Sequence, residues 1–250
     1  MEILVIDVGG THIKFVATRH KRAVKFKSSP RLGPKKMVKK ILKHTRGWRY
    51  QAVSMGYPGV VRRGKIMREP HNLGTGWVGF DFEEAFGCSV KIINDAAMQA
   101  LGGYEGGKML FLGLGTGLGS ALIDDEVIAA MELGHLHYAD GNTYEDYLGK
   151  QGRKKLGNKK WRDIVNKVVR GFSKALLPDY IILGGGNVEH LKKLPPKTRR
   201  GKNADAFAGG FRLWQNQDGI PGGAEDTGFR PDDNANRHDP NMKRMSTGKR

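Results

Sequence analysis

The stretch Glu2-Ile-Leu-Val-Ile-Asp7 is an apolar run that ends on the glycine pair Gly9-Gly10, and apolar residues resume at Ile13. A buried strand, a turn made by two glycines and a second strand over residues 13–17 form a β-hairpin. A dinucleotide-binding unit would instead continue from its glycines into a helix, so that fold is excluded at this end of the chain. Residues 23–27 read as a third strand.

The hydrophobic pattern then alternates between helix and strand. Residues 34–44 form an amphipathic helix with Met37, Val38, Ile41 and Leu42 on one face and Lys35, Lys36, Lys39, Lys40 and Lys43 on the other. Residues 52–56 and 90–93 are short strands, and a helix starts at Asn94-Asp95. Residues 108–113 and 120–123 flank Gly115-Thr116-Gly117 as a second hairpin. Trp161, Ile164, Val165, Val168, Val169, Phe172, Ala175 and Leu176 recur at three- and four-residue steps, which predicts a helix over 160–177 ending at Pro178. A strand over 180–183 runs into Gly184-Gly185-Gly186, and residues 204–214 form a last short helix. Hairpin and helix thus occur twice over, which predicts two α/β lobes around a cleft. The lobes span residues 1–93 and 94–214; residues 215–250, rich in Gly, Pro, Asp and Asn, are expected to be a disordered tail.

Four segments carry chemistry. In Asp7-Val8-Gly9-Gly10-Thr11-His12-Ile13-Lys14, the glycines let the backbone approach an anion and turn N–H groups toward phosphate oxygens. Asp7 suits a hydrated Mg2+ ion, Thr11 offers a hydroxyl and Lys14 a cation. An ordinary turn between strands is the simpler alternative. Gly113-Leu114-Gly115-Thr116-Gly117-Leu118-Gly119 repeats the pattern, so two such loops favour a shared phosphate site. Asn94-Asp95 follows an apolar strand, where α/β proteins hold ligands. Asp95 there is either a helix N-cap or a general base, with Asn94 bonding to hydroxyls. Glu132 and His135, followed by Glu145, suit either a metal or vicinal hydroxyls.

The chain carries 43 Lys and Arg against 25 Asp and Glu, a formal charge of +18. Residues 215–250 hold equal numbers of each sign, so the excess lies in the body and favours a polyanionic partner. Cys88 is the only cysteine, which rules out an intramolecular disulfide and a cysteine-based zinc site and fits a reducing cytoplasm. The apolar run at residues 3–6 is far too short to span a membrane, so a cytoplasmic protein without membrane contact is expected.

The ordered series DVGGTHIKF, GYPGVV, INDAAMQALGGY, LGTGLGSALI, ELGHL and LGGG resembles the ROK family of sugar kinases, from Met1 to about Trp214. The resemblance implies the two-lobed actin-like and hexokinase-like (ribonuclease H-like) α/β fold, closing on a sugar and a phosphate donor. It implies that Asp95 is the catalytic base and that Asn94, Glu132, His135, Glu145, Gly59 and Asn72 surround the sugar. It matches Asp7, Gly9, Gly10, Thr11 and Lys14 to the first phosphate motif and Gly115, Thr116 and Gly117 to the second. Gly184, Gly185 and Gly186 correspond to a nucleoside-proximal turn. Many members carry a zinc-binding cysteine cluster after the Glu-x-Gly-His motif; residues 137–145 contain no cysteine, so Mg2+ and no zinc is expected.

The compact, cysteine-free form is similar to the polyphosphate glucokinase branch, which implies transfer from polyphosphate to the 6-hydroxyl of glucose. Rows of Lys and Arg at residues 150–162, 192–202, 19–27 and 62–68 would then hold the polymer, with counterion release as the driving term. An ATP-dependent glucokinase of the same family is the alternative, and a non-catalytic sugar-sensing or nucleic-acid-binding protein a further one. The DNA-binding relatives carry a helix-turn-helix ahead of the first phosphate motif, which here starts at Glu2, so no specific nucleic-acid partner is expected. Relatives are often dimers, which implies a homodimer.

Overall fold

A computed structural model describes residues 1–125, 127–202 and 204–215. The disorder expected from 215 onward concerns residues 216–250, which lie outside the described residues. The chain opens with the antiparallel strands β1 (Ile3–Val8), β2 (His12–Ala17) and β3 (Val24–Lys27). Helix α1 (Pro34–His44) then leads to β4 (Ala52–Tyr57), which is parallel to β1 and buried throughout. A small ribbon, β5 (Val61–Arg62) with β6 (Lys65–Ile66), and the short helix α2 (Phe82–Phe86) precede β7 (Ser89–Asn94). The sheet order is β3-β2-β1-β4-β7.

After α3 (Asp95–Gly103) the same plan recurs. Strands β8 (Lys108–Leu114), β9 (Leu118–Asp124) and β10 (Val127–Met131) form an antiparallel meander. A ribbon of β11 (His137–Ala139) and β12 (Asn142–Thr143), then α4 (Tyr144–Leu148) and the long α5 (Lys150–Leu176), lead to β13 (Tyr180–Gly184) and β14 (Thr198–Arg200). Both of the last strands join in parallel, giving β10-β9-β8-β13-β14, the order of the first sheet repeated. The last helix of the described residues is α6 (Asp205–Arg212).

The first sheet packs on α1 around Phe15, Met37, Ile41, Tyr57 and Trp77. The second packs on α5 around Leu110, Trp161, Val165, Val169 and Ile181. Between the sheets lie α3 and α6. Met98 of α3 joins Ile3 and Val5 of β1 and Ala206 of α6, while Ala97, Ala100 and Leu101 join Met109, Phe111 and Ile182 of the second sheet. The two helices cross closely: a Cβ on Gly209 would collide with the Met98 carbonyl and stand 2.9 Å from the Gly102 nitrogen. Ser54 of β4 donates its hydroxyl to the Gly210 carbonyl at 2.5 Å and accepts from Trp214 Nε1 at 2.8 Å. The segment that carries Gly210 and Trp214 is therefore fastened to the first sheet.

Three expectations change. Leu42 is 40% exposed, because it lies at the edge of the α1 stripe that Met37, Val38 and Ile41 bury. The long helix starts at Lys150 and is broken at Gly157 (φ 74°, ψ 158°); its first segment lacks an apolar stripe, so periodicity reveals only the part beyond the break. Ala175, counted in that stripe, is exposed.

Candidate functional site

Asp7 and Lys14 face each other across the β1–β2 pair, and Lys14 Nζ donates to Asp7 Oδ2 at 3.1 Å. Cross-strand register thus ties the motif's cation to its carboxylate and leaves Oδ1 open. The turn closes with the Gly9 N–H donating to the His12 carbonyl at 3.1 Å. Gly10 and Thr11 are exposed at its tip, and the Asn72 side chain lies over Gly10. Asn72 is carried on a loop held by Glu69, whose carboxylate accepts from the N–H groups of Trp77 and Val78 at 3.1 Å.

Asn94, rather than Asp95, caps α3. Its Oδ1 accepts from the Ala97 N–H at 3.1 Å, and its Nδ2 donates to the Gly59 carbonyl at 3.1 Å, joining two residues of the expected sugar pocket. The cap therefore does not consume Asp95, the first residue of the helix. Asp95 Oδ1 accepts from the Ala96 N–H at 2.8 Å. Burial raises the Asp95 carboxyl to about 7, with the neighbouring carboxylates of Asp7 and, more weakly, Glu132 adding to the rise and the Ala96 N–H opposing it. A carboxylate that titrates near neutrality is suited to taking a proton from a hydroxyl.

The second loop is enclosed by parts far apart in sequence. Glu145, on α4, accepts from the Leu118 N–H through Oε2 at 3.1 Å, and a Cβ on Gly117 would collide with that carboxylate. A side chain there would displace the Glu145 carboxylate from the Leu118 N–H. Gly185, at φ +83°, sits against the backbone of Leu114 and Gly115, so the third glycine turn packs directly on the second. Asn187 secures this contact: its Nδ2 donates to the Gly115 carbonyl at 2.8 Å and its Oδ1 accepts from Arg153 Nε at 3.0 Å. The Lys150 N–H, at the start of α5, donates to the carbonyls of Gly115 at 3.0 Å and Thr116 at 3.1 Å. Thr116 itself is exposed.

Glu132 precedes a 3-10 turn, Leu133–His135, and its Oε2 lies 3.4 Å from His135 Nδ1. The Gly134 backbone packs against the Leu118 carbonyl and near Glu145 Cβ, so Glu132, His135, Glu145 and the second loop form one group. A Cβ on Gly119 would stand 3.0 Å from Ala96 Cβ, which brings this group against the start of α3. The structure therefore gathers Asp7, Asp95 and Glu132 electrostatically, Asn94 with Gly59, Asn72 with Gly10, and Glu145 with Gly117. Asn187 and Glu69 were missed by sequence reasoning, and Arg153 was named only within the basic row at residues 150–162; Asn187 follows the Gly184–Gly186 run, which was the one local pointer to it.

Among the described residues no group of three or more His, Cys, Asp or Glu could hold a metal ion. The free oxygen of Asp7 fits a different mode, in which Mg2+ keeps most of its waters and binds one carboxylate together with substrate phosphates. No helix of the described residues is long and apolar enough to cross a membrane.

Comparison with known proteins agrees with this architecture. No curated protein matches the chain. Among solved structures, an inorganic polyphosphate/ATP-glucomannokinase from Arthrobacter sp. strain KM is 22% identical, with a TM-score of 0.72 over 85% of this chain and 97% of that one. A ROK family glucokinase from Streptomyces griseus in complex with glucose and AMPPNP is 16% identical, with a TM-score of 0.68 over 86% of this chain and 100% of that one. A ROK hexokinase from Thermus thermophilus is 21% identical, with a TM-score of 0.61 over 84% of this chain and 96% of that one. The fold is thus the two-lobed, actin-like fold expected from the sequence. A family model described as the ROK family matches residues 3–152, and the chain belongs to that family.

Proposed function

We propose that this protein is a cytoplasmic sugar kinase that moves a phosphoryl group from inorganic polyphosphate to the 6-hydroxyl of glucose. The observation that carries the reading is Asp95, a carboxylate raised to about 7 at the head of α3. The sugar hydroxyl gives its proton to Asp95 as its oxygen bonds to the terminal phosphorus, and the bond from that phosphorus to the rest of the donor breaks. Asp95 Oδ1 already accepts from Ala96, so Oδ2 is the atom that takes the proton.

Asn94, Glu132, His135 and Glu145 bind the remaining hydroxyls, with Gly59 and Asn72 completing the pocket wall. The backbone of Gly9, Gly10 and Thr11, with Lys14, and that of Gly115, Thr116 and Gly117 grip the donor phosphates from two sides. Asp7 would hold Mg2+, which would supply neutralisation of the charge on those phosphates. Division of labour between lobes 1–93 and 94–214 follows, and a homodimer is the assembly we propose.

Two observations support polyphosphate as donor: the +18 charge of the chain, and similarity to an enzyme named for both polyphosphate and ATP. A second reading, ATP as donor, is favoured by the Gly184–Gly186 turn packed on the second loop and by the likeness to a glucokinase that holds AMPPNP. A screen of hexoses against both donors tests the assignment. Glucose phosphorylation from polyphosphate is expected; phosphorylation from ATP alone would transfer the assignment to ATP.

A further inference from the structure

We infer that the outer face of α5, beyond its break at Gly157, is a binding surface for linear inorganic polyphosphate, distinct from the loops that grip the reacting phosphates. The inference rests on the polyphosphate reading above. A groove of about 790 Å³ runs along this face, lined by Asp163, Lys167, Arg170, Lys174 and, from the segment before β14, Lys193. A smaller concavity of about 260 Å³ shares Arg170 and Lys174 and adds Lys197, so the two are continuous. Those five basic side chains are exposed, and none forms an ion pair among the described residues.

α5 as a whole has the same character, with ten Lys and Arg against the single acid Asp163. The Lys150 N–H meets the second glycine loop, whereas Lys167 lies beyond the break, about 14 Å along the second segment from Asn158 at 1.5 Å per residue. A polymer held at the loop can extend along this second segment. No aromatic side chain lines either part of the groove, so it supplies point charges for phosphates without the stacking platforms that single-stranded nucleic acids use.

The test uses the full chain and the triple variant Lys167→Glu, Arg170→Glu, Lys174→Glu, with Lys35→Glu, Lys36→Glu, Lys39→Glu on the exposed face of α1 as a matched control. Titration calorimetry with long-chain polyphosphate should show about tenfold weaker binding in the α5 variant, and a salt slope smaller by about two to three from the loss of three phosphate contacts. Turnover with tripolyphosphate or ATP should not change. Unchanged polyphosphate affinity, or an equal loss in the α1 control, overturns the inference. So does a loss confined to single-stranded RNA, which would make nucleic acid the partner. If the parent chain binds polyphosphate at this groove yet transfers nothing from it, the donor reading falls and the surface stands. If the parent uses polyphosphate and the α5 variant keeps both its Kd and KM, the surface falls and the donor reading stands.

Discussion

Asn187 and Gly115 are 72 positions apart, yet the Asn187 amide donates to the Gly115 carbonyl at 2.8 Å and is itself oriented by Arg153. This half-buried bond fixes the position of the second glycine loop against the third. Asn187→Ala leaves the Gly115 carbonyl with the Lys150 N–H as its one remaining donor and takes the acceptor from Arg153 Nε, at a cost of about 1–3 kcal/mol. The expected result is a donor KM raised by about five- to a hundredfold with little change in the sugar KM. Steady-state kinetics with each substrate varied in turn checks the split.

The raised carboxyl of Asp95 makes two pH predictions. The base must be ionised, so turnover should climb as pH rises through about 7. The stability effect has the opposite slope. Because the folded-state value lies above the unfolded value of 3.8, the folded chain holds its proton more tightly, and stability falls between about pH 4 and pH 7. Asp95→Asn removes that dependence. Thermal unfolding should find the variant similar to the parent at pH 4 and more stable at pH 8.

Glu132 acts on Asp95 through charge and, on our reading, on the sugar through hydrogen bonds. Glu132→Gln should raise the sugar KM more than the donor KM. It should also shift the rising limb of the pH–rate profile toward acid, because one like charge is removed from Asp95. A variant with raised sugar KM and an unmoved profile would separate the two effects.

Gly209 sits in a helix, where alanine ordinarily stabilises by about 1 kcal/mol. Here a Cβ would strike the Met98 carbonyl, so Gly209→Ala must push α6 from α3. The sign reverses, and a loss of about 1–3 kcal/mol is expected, read as a lower Tm.

Strands β1 and β4 were legible as apolar runs, and β3, Val-Lys-Phe-Lys, as an alternation of apolar and charged residues. Helix α1 was legible at both ends from Pro34 and its apolar stripe. The edge strands of the second sheet were not: β14 is Thr-Arg-Arg and β10 is half-exposed, so neither carries a buried strand's pattern. At the site, glycine pairs and Asn94-Asp95 announced themselves locally. Which of the two capped α3 did not, since the answer depends on the geometry that aims Asn94 at both Ala97 and Gly59. The bond from the Leu118 N–H to Glu145 and the seating of Asn187 join residues 27 and 72 positions apart, and no local period encodes such pairings.

The central claim is that Asp95 takes the proton from the sugar. Turnover and sugar affinity of Asp95→Asn, measured on the same folded preparation, test it most directly. The account predicts turnover lower by roughly two to four orders of magnitude with sugar binding largely kept. Turnover close to that of the parent would contradict it.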